Sequence, residues 1–161
     1  MEREKMVVEN SYFEDIQKIW KQNNNGYITK TSNQKAIYDE GMNQFVWREN
    51  EKTMAYVVVY VVGKDFCEKD QCLNKIKKMG NKVAYIWEIV TDKNYVGRGI
   101  ASKLIEYIID KYKGYEIYSC IDINNYSSLK LHEKYGFYTL YEFEKELENK
   151  ISMHRMLVKI N

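Results

Sequence analysis

A chain of 161 residues with 45% hydrophobic and 30% charged residues is long enough for one buried core and too apolar to be disordered. Its 25 basic and 23 acidic residues leave a net charge of +2, which gives no electrostatic case for nucleic acid or an anionic membrane surface. No run approaches the ~18 apolar residues of a membrane-spanning helix, and "MEREKMVVENSYFED" has no signal core, so one cytoplasmic domain over 1–161 is expected.

From the N-terminus, "SYFEDIQKIWKQN" spaces Phe13, Ile16, Ile19 and Trp20 as a helix, with Glu14 and Asp15 near its positive end. "NNNGY" breaks it, and "TSNQKAIYDEGM" reads as a second short helix capped by Thr31, Ser32 or Asn33. "NQFVWREN" and "MAYVVVYVV" predict an antiparallel strand pair around "ENEK". Residues 64–82 form a lysine-rich polar loop with a helical turn around Gln71–Met79. "KVAYIWEIVT" is a strong strand, with Val83, Tyr85, Trp87 and Ile89 alternating.

After the glycine turn "YVGRGIASKL", Ile100, Leu104, Ile105, Ile108, Ile109 and Tyr112 form one helical stripe that ends at Gly114. "YEIYSCIDI" is a strand, "NYSSLKLHEKY" a helix capped by Asn124 or Asn125, and "FYTLYEFEKEL" and "ISMHRMLVKIN" are closing strands. The order ααββ, βαβα, ββ fits one mixed sheet with helices on both faces, its crossover through Arg98–Lys113 joining parallel strands. Cys67, Cys72 and Cys120 make neither a disulfide framework nor a metal cluster. The chain has no proline, so its turns must come from Gly, Asn and Asp.

The glycine turn admits three phosphate-binding readings. A nucleotide P-loop fails, because Leu104 stands where its Gly-Lys would begin. A dinucleotide fingerprint nearly fits through Gly97, Gly99, Ser102 and Glu116, but only one βα unit follows and that fold needs more. The third reading is a pyrophosphate seated on the helix N-terminus, where backbone N–H groups and the dipole favour an anion. Gly97 and Gly99 let the backbone approach closely, Arg98 can add charge, and Ala101 and Ser102 keep the first turn slim.

Here the chain resembles the GNAT acetyl-CoA-dependent N-acetyltransferase superfamily, whose pyrophosphate loop reads Arg/Gln-x-x-Gly-x-Gly/Ala. The frame is Val96-Gly-Arg-Gly99-Ile-Ala101, matching at Gly99 and Ala101 and departing at Val96. "NNYSSLKLHEKYGF" resembles the family's second motif, with Asn125, Ser128, Leu131, Lys134, Gly136 and Phe137 in register. His132 replaces the usual tyrosine, a variant similar to the phosphinothricin-acetyltransferase-like branch. The match is good over roughly Val83 to Leu147.

The resemblance implies an α/β (α+β) fold with a mixed, mostly antiparallel sheet splayed between strands 83–91 and 115–123. It implies transfer of an acetyl group from acetyl-CoA, without a metal, to an amine. A small-molecule acceptor is expected, with a peptide N-terminal or protein acetyltransferase and a non-catalytic acyl-CoA-binding module as the alternatives, no nucleic-acid or membrane partner, and either a monomer or a homodimer. It assigns the cosubstrate to Ile89, Val90, Thr91, Val96, Gly97, Arg98, Gly99, Ile100, Ala101, Ser102, Asn125, Ser128, Leu131 and Lys134. Tyr27, Tyr38, Phe45 and Trp47 fall where the family builds its acceptor pocket.

Such a transfer must deprotonate an ammonium and protonate or stabilise a leaving thiolate, two acid–base tasks. His132 occupies the position of the family's general acid. Glu88, the one acid in the central strand, is the candidate base; strict alternation puts it on the face opposite Trp87 and Ile89 and leaves open which face meets the cleft.

Overall fold

The computed structural model describes residues 5–9, 12–22, 42–61, 82–147 and 150–161. The strands are β1 (Lys5–Glu9), β2 (Met42–Glu49), β3 (Lys52–Val61), β4 (Val83–Thr91), β5 (Glu116–Asp122), β6 (Tyr138–Leu147) and β7 (Lys150–Ile160). The helices are α1 (Phe13–Lys21), α2 (Ile100–Lys111) and α3 (Tyr126–Lys134). The second helix expected near 31–41, the loop at 64–81, and Tyr27, Tyr38, Cys67 and Cys72 lie outside the described residues.

All seven strands join one sheet in the order β1-β2-β3-β4-β5-β7-β6. Every neighbouring pair is antiparallel except β4 and β5, which the crossover through α2 makes parallel. The β2–β3 hairpin turns on Asn50 and Glu51, both left-handed at φ 53° and 63°, the geometry that matches strand twist in a two-residue loop. Strand β1 was not anticipated. Five residues with a charge at each end carry too little alternation to register, and pairing with β2 supplies what propensity does not.

The sheet buries a different core on each face. Ile16 and Ile19 of α1 pack against Val46, Tyr56, Val58, Val90, Met156 and Val158. On the other face Leu104, Ile105 and Ile108 of α2 and Leu129 of α3 cover Val57, Val59, Ala84, Ile86, Ile117 and Leu157. Phe45 and Trp47 belong to this α2 face, with the Phe45 ring 5.3 Å from that of Tyr107.

Two departures from regularity lie in β4. Its pairing with β5 runs only from Val83↔Glu116 to Ile86↔Ser119, so the strands part over the second half of β4, as expected for a splayed sheet. Against β3 the register shifts, Val58 opposing Glu88 while Val59 opposes Ile86, which leaves Trp87 as the extra residue of a β-bulge. The bulge reverses the parity of the strand. Ile86 and Ile89 both pack on the α2 face, whereas Trp87 and Val90 both pack on the α1 face.

Candidate functional site

The turn between β4 and α2 is organised by Asp92. Its backbone N–H donates to the Met54 carbonyl at 2.8 Å, its own carbonyl accepts from Tyr95 N–H at 2.8 Å, and its carboxylate accepts from Asn94 N–H at 2.9 Å. Gln22, at the end of α1, donates to the other carboxylate oxygen at 3.5 Å. This short-range bonding is the ordinary use of Asp in a turn, and the "TDKN" segment carried that signal.

The backbone then rises through Gly97 and Gly99 at φ +81° and +74°. Among the described residues a Cβ at either position would meet nothing within 4 Å, so handedness rather than crowding by them requires glycine. Gly99 is the N-cap of α2. Among the described residues no side chain caps this end, and no acidic residue lies in the first turn. The amides of Ile100, Ala101 and Ser102 therefore keep the donor character of a helix start. Arg98 is exposed with its guanidinium 5.3 Å from the Tyr95 ring, and Val96 is 64% exposed. Beyond Ile86, the β5-side edge of β4 runs through Ile89, Val90 and Thr91 toward this turn.

Helix α3 starts on Asn125, whose side-chain oxygen accepts from Ser128 N–H at 3.4 Å and Ser127 hydroxyl at 3.3 Å. Asn125 thus serves the helix cap. Leu131 is half-buried on the α2-face core, and Lys134 is exposed with its ammonium 5.3 Å from the Tyr135 ring.

His132 is fully buried, its ring edge-on to Phe137 at 5.0 Å. Its Nδ1 lies 2.7 Å from the Ser128 carbonyl. A carbonyl only accepts, which assigns the proton to Nδ1 and a lone pair to Nε2. Nε2 is buried and meets no hydrogen-bond partner among the described residues. Burial pulls the pKa down to about 4, against the opposing pull of the Ser128 bond. At neutral pH the imidazole is uncharged and its single N–H is committed to helix backbone, so in this geometry it offers an acceptor.

Glu88 is 7% exposed on the α1 face, the face the bulge selects. Its Oε1 accepts a 2.8 Å hydrogen bond from the Tyr56 hydroxyl, itself fully buried on β3. Burial first, then the Glu88 charge and the hydrogen bond, push the Tyr56 phenol far above its ordinary value, so it stays a donor. Tyr56 escaped the sequence reading. The available signal was a tyrosine inside an almost unbroken valine run, where a buried hydroxyl needs a partner.

The glycine turn, the parted edge of β4 and Glu88 thus lie along the second half of β4 and the turn that follows it. Asn125 and Lys134 are engaged on α3 itself.

Residues 8–137 match the family model described as the Acetyltransferase (GNAT) family. A search of curated proteins finds no match. Solved structures are similar over nearly the whole chain. A ribosomal-protein-alanine N-acetyltransferase from Brucella melitensis is 13% identical, with 97% of this chain and 99% of that one covered at a TM-score of 0.74. NAA60 from Arabidopsis thaliana, in complex with a bisubstrate analogue, is 14% identical, with 97% and 99% covered at 0.73. An N-acetyltransferase from Staphylococcus aureus Mu50 is 18% identical, with 98% and 99% covered at 0.71.

Proposed function

Because the chain belongs to the Acetyltransferase (GNAT) family and is an acyltransferase, we propose that it moves an acetyl group from acetyl-CoA to the primary amine of a small molecule by direct attack in a ternary complex. The observation that carries this reading is the parting of β4 from β5 beyond the Ile86–Ser119 pair, beside a helix start with no capping side chain among the described residues. Acetyl-CoA supplies the acyl group as an activated thioester. The backbone amides from Gly97 to Ser102 hold its pyrophosphate, with Val96 and Arg98 flanking them. Backbone groups of Ile89, Val90 and Thr91 take the pantetheine arm along the open edge of β4, while the Ile89 and Val90 side chains remain in the core. A backbone N–H on this edge polarises the reacting carbonyl.

Glu88 takes the first proton that the ammonium must lose, an N–H bond breaking as an O–H bond forms on the carboxylate; the freed nitrogen then bonds the acetyl carbon as its C–S bond to CoA breaks, and the second N–H proton ends on the departing CoA thiolate. Because only 7% of the residue is exposed, the nitrogen reaches it on a slender arm, which favours an unhindered primary amine. His132 contributes the Nε2 lone pair as a hydrogen-bond acceptor, and the histidine it shares with the phosphinothricin-acetyltransferase-like branch fits a small acceptor.

CoA release measured across amines, amino acids and peptides tests the reading. A small amine as best substrate supports it, and activity confined to peptide N-termini replaces the acceptor class. Glu88→Gln is expected to lower kcat/KM by about 100-fold or more. Turnover equal to that of the parent would remove Glu88 from the mechanism.

A further inference from the structure

Glu88 reaches the α1 face only because Trp87 is bulged out of register with β3. In an unbroken strand it would share the face of Ala84 and Ile86, beneath α2. A bulge fixes direction but not the rotamer of the long glutamate side chain. That is done from β3. Tyr56 lies opposite Val90, two residues along from the Val58–Glu88 pair, and its hydroxyl crosses diagonally to Oε1 at 2.8 Å. The Tyr56 ring is held by the same core as Ile16, Ile19, Val46 and Val58, so the donor cannot drift.

We propose that Tyr56 is the positioning residue of the proton-accepting group, holding Glu88 on the α1 face and keeping its carboxylate in the charged, proton-accepting form. This rests on the reading of Glu88 as the base. A buried carboxylate without a donor tends to protonate, and a hydrogen bond to its charged form opposes that. Other titratable groups share this face: Tyr12 just before α1, Tyr60 on β3, Tyr85 on β4 itself, Tyr118, Cys120 and Asp122 on β5, Tyr141 on β6, and His154 on β7. On its neighbouring elements, Asp15 of α1 is paired with Arg48 of β2 at 3.0 Å, and the Asp122 carboxylate accepts from Asn124 N–H at 2.8 Å. The Tyr56 hydroxyl bonds Glu88 itself.

The test reads the Glu88 carboxyl carbon by NMR from pH 4 to 9, its signal assigned by loss in Glu88→Gln. Tyr56→Phe should raise the titration midpoint by about one pH unit, the loss of one charge-assisted hydrogen bond. Incorporation of 3-fluorotyrosine at position 56, a stronger donor of nearly the same shape, should lower the midpoint and keeps the test available if the phenylalanine variant does not fold. An unmoved midpoint in either folded protein overturns the proposal. CoA release with the best amine of the panel separates the two readings. If Glu88→Gln keeps parent turnover, the base assignment fails. If that variant is inactive while the Tyr56 substitutions leave the midpoint unmoved, only the positioning role fails.

Discussion

His132 carries a motif position and a core position at once, and its chemistry follows from the second. The unfolded chain protonates a histidine near pH 6.5, whereas the folded protein holds His132 neutral down to about 4. Between those values the unfolded state binds the extra proton, so stability falls as the pH drops from 6.5 toward 4, by about 3 kcal/mol for this group. His154 adds to the same slope: burial lowers its pKa and the Lys145 charge assists, against the Ser152 carbonyl and Asp122. Thermal unfolding followed between pH 7 and 4.5 should therefore show a fall in Tm that His132→Phe flattens, since phenylalanine suits the pocket against Phe137 and has nothing to protonate. An equal slope in that variant would mean the ring is not buried as described. Turnover should drop less than about tenfold in the same variant, the scale of one lost neutral hydrogen bond, with acetyl-CoA affinity unchanged. A larger loss at constant affinity would return His132 to the role of proton donor.

The two local motifs were legible because local backbone chemistry makes them. The Gly97–Gly99 turn, the Asn125 cap and the apolar stripe of α2 each depend on neighbours within a few residues. The bulge at Trp87 was not legible, because register against β3 creates it, and alternation read along "KVAYIWEIVT" cannot show a partner that skips a residue. The Tyr56–Glu88 bond, 32 positions apart, was hidden for the same reason, and Phe45 and Trp47 went to the α2 face through pairing that the sequence does not display. The glycine turn yields a prediction that separates fold from ligand. Gly99→Ala places a Cβ at φ +74°, costing about 1–2 kcal/mol of stability from handedness alone. That Cβ also adds bulk at the N-cap of α2, so acetyl-CoA affinity measured by calorimetry should fall roughly tenfold or more through lost backbone approach. Lost stability with unaltered affinity would place the pyrophosphate elsewhere.

The sheet consists of two halves, β1 to β4 and β5 with the β7–β6 pair, sewn together by four parallel residue pairs from Val83 to Ile86. Helix α2 lies in the core on one face that also holds side chains of β3 and of β5. The parted half of β4 consequently has backbone edge that no strand of the described sheet satisfies. A ligand lying in that gap and touching the α2 N-terminus would bind both halves of the native sheet and neither half of the unfolded chain. At 100 times its Kd, such a ligand stabilises by about 2.7 kcal/mol, which for a chain of this length is a Tm rise of roughly 5–10 °C. CoA and acetyl-CoA should both produce it, NAD at the same concentration should not, and amide hydrogen exchange should slow at 87–91 and through the first turn of α2. Slowing confined to the α2 turn would mean that the phosphates bind without the pantetheine arm occupying the gap. An NAD shift equal to that of CoA would return the glycine turn to the dinucleotide reading that "YVGRGIASKL" nearly satisfies.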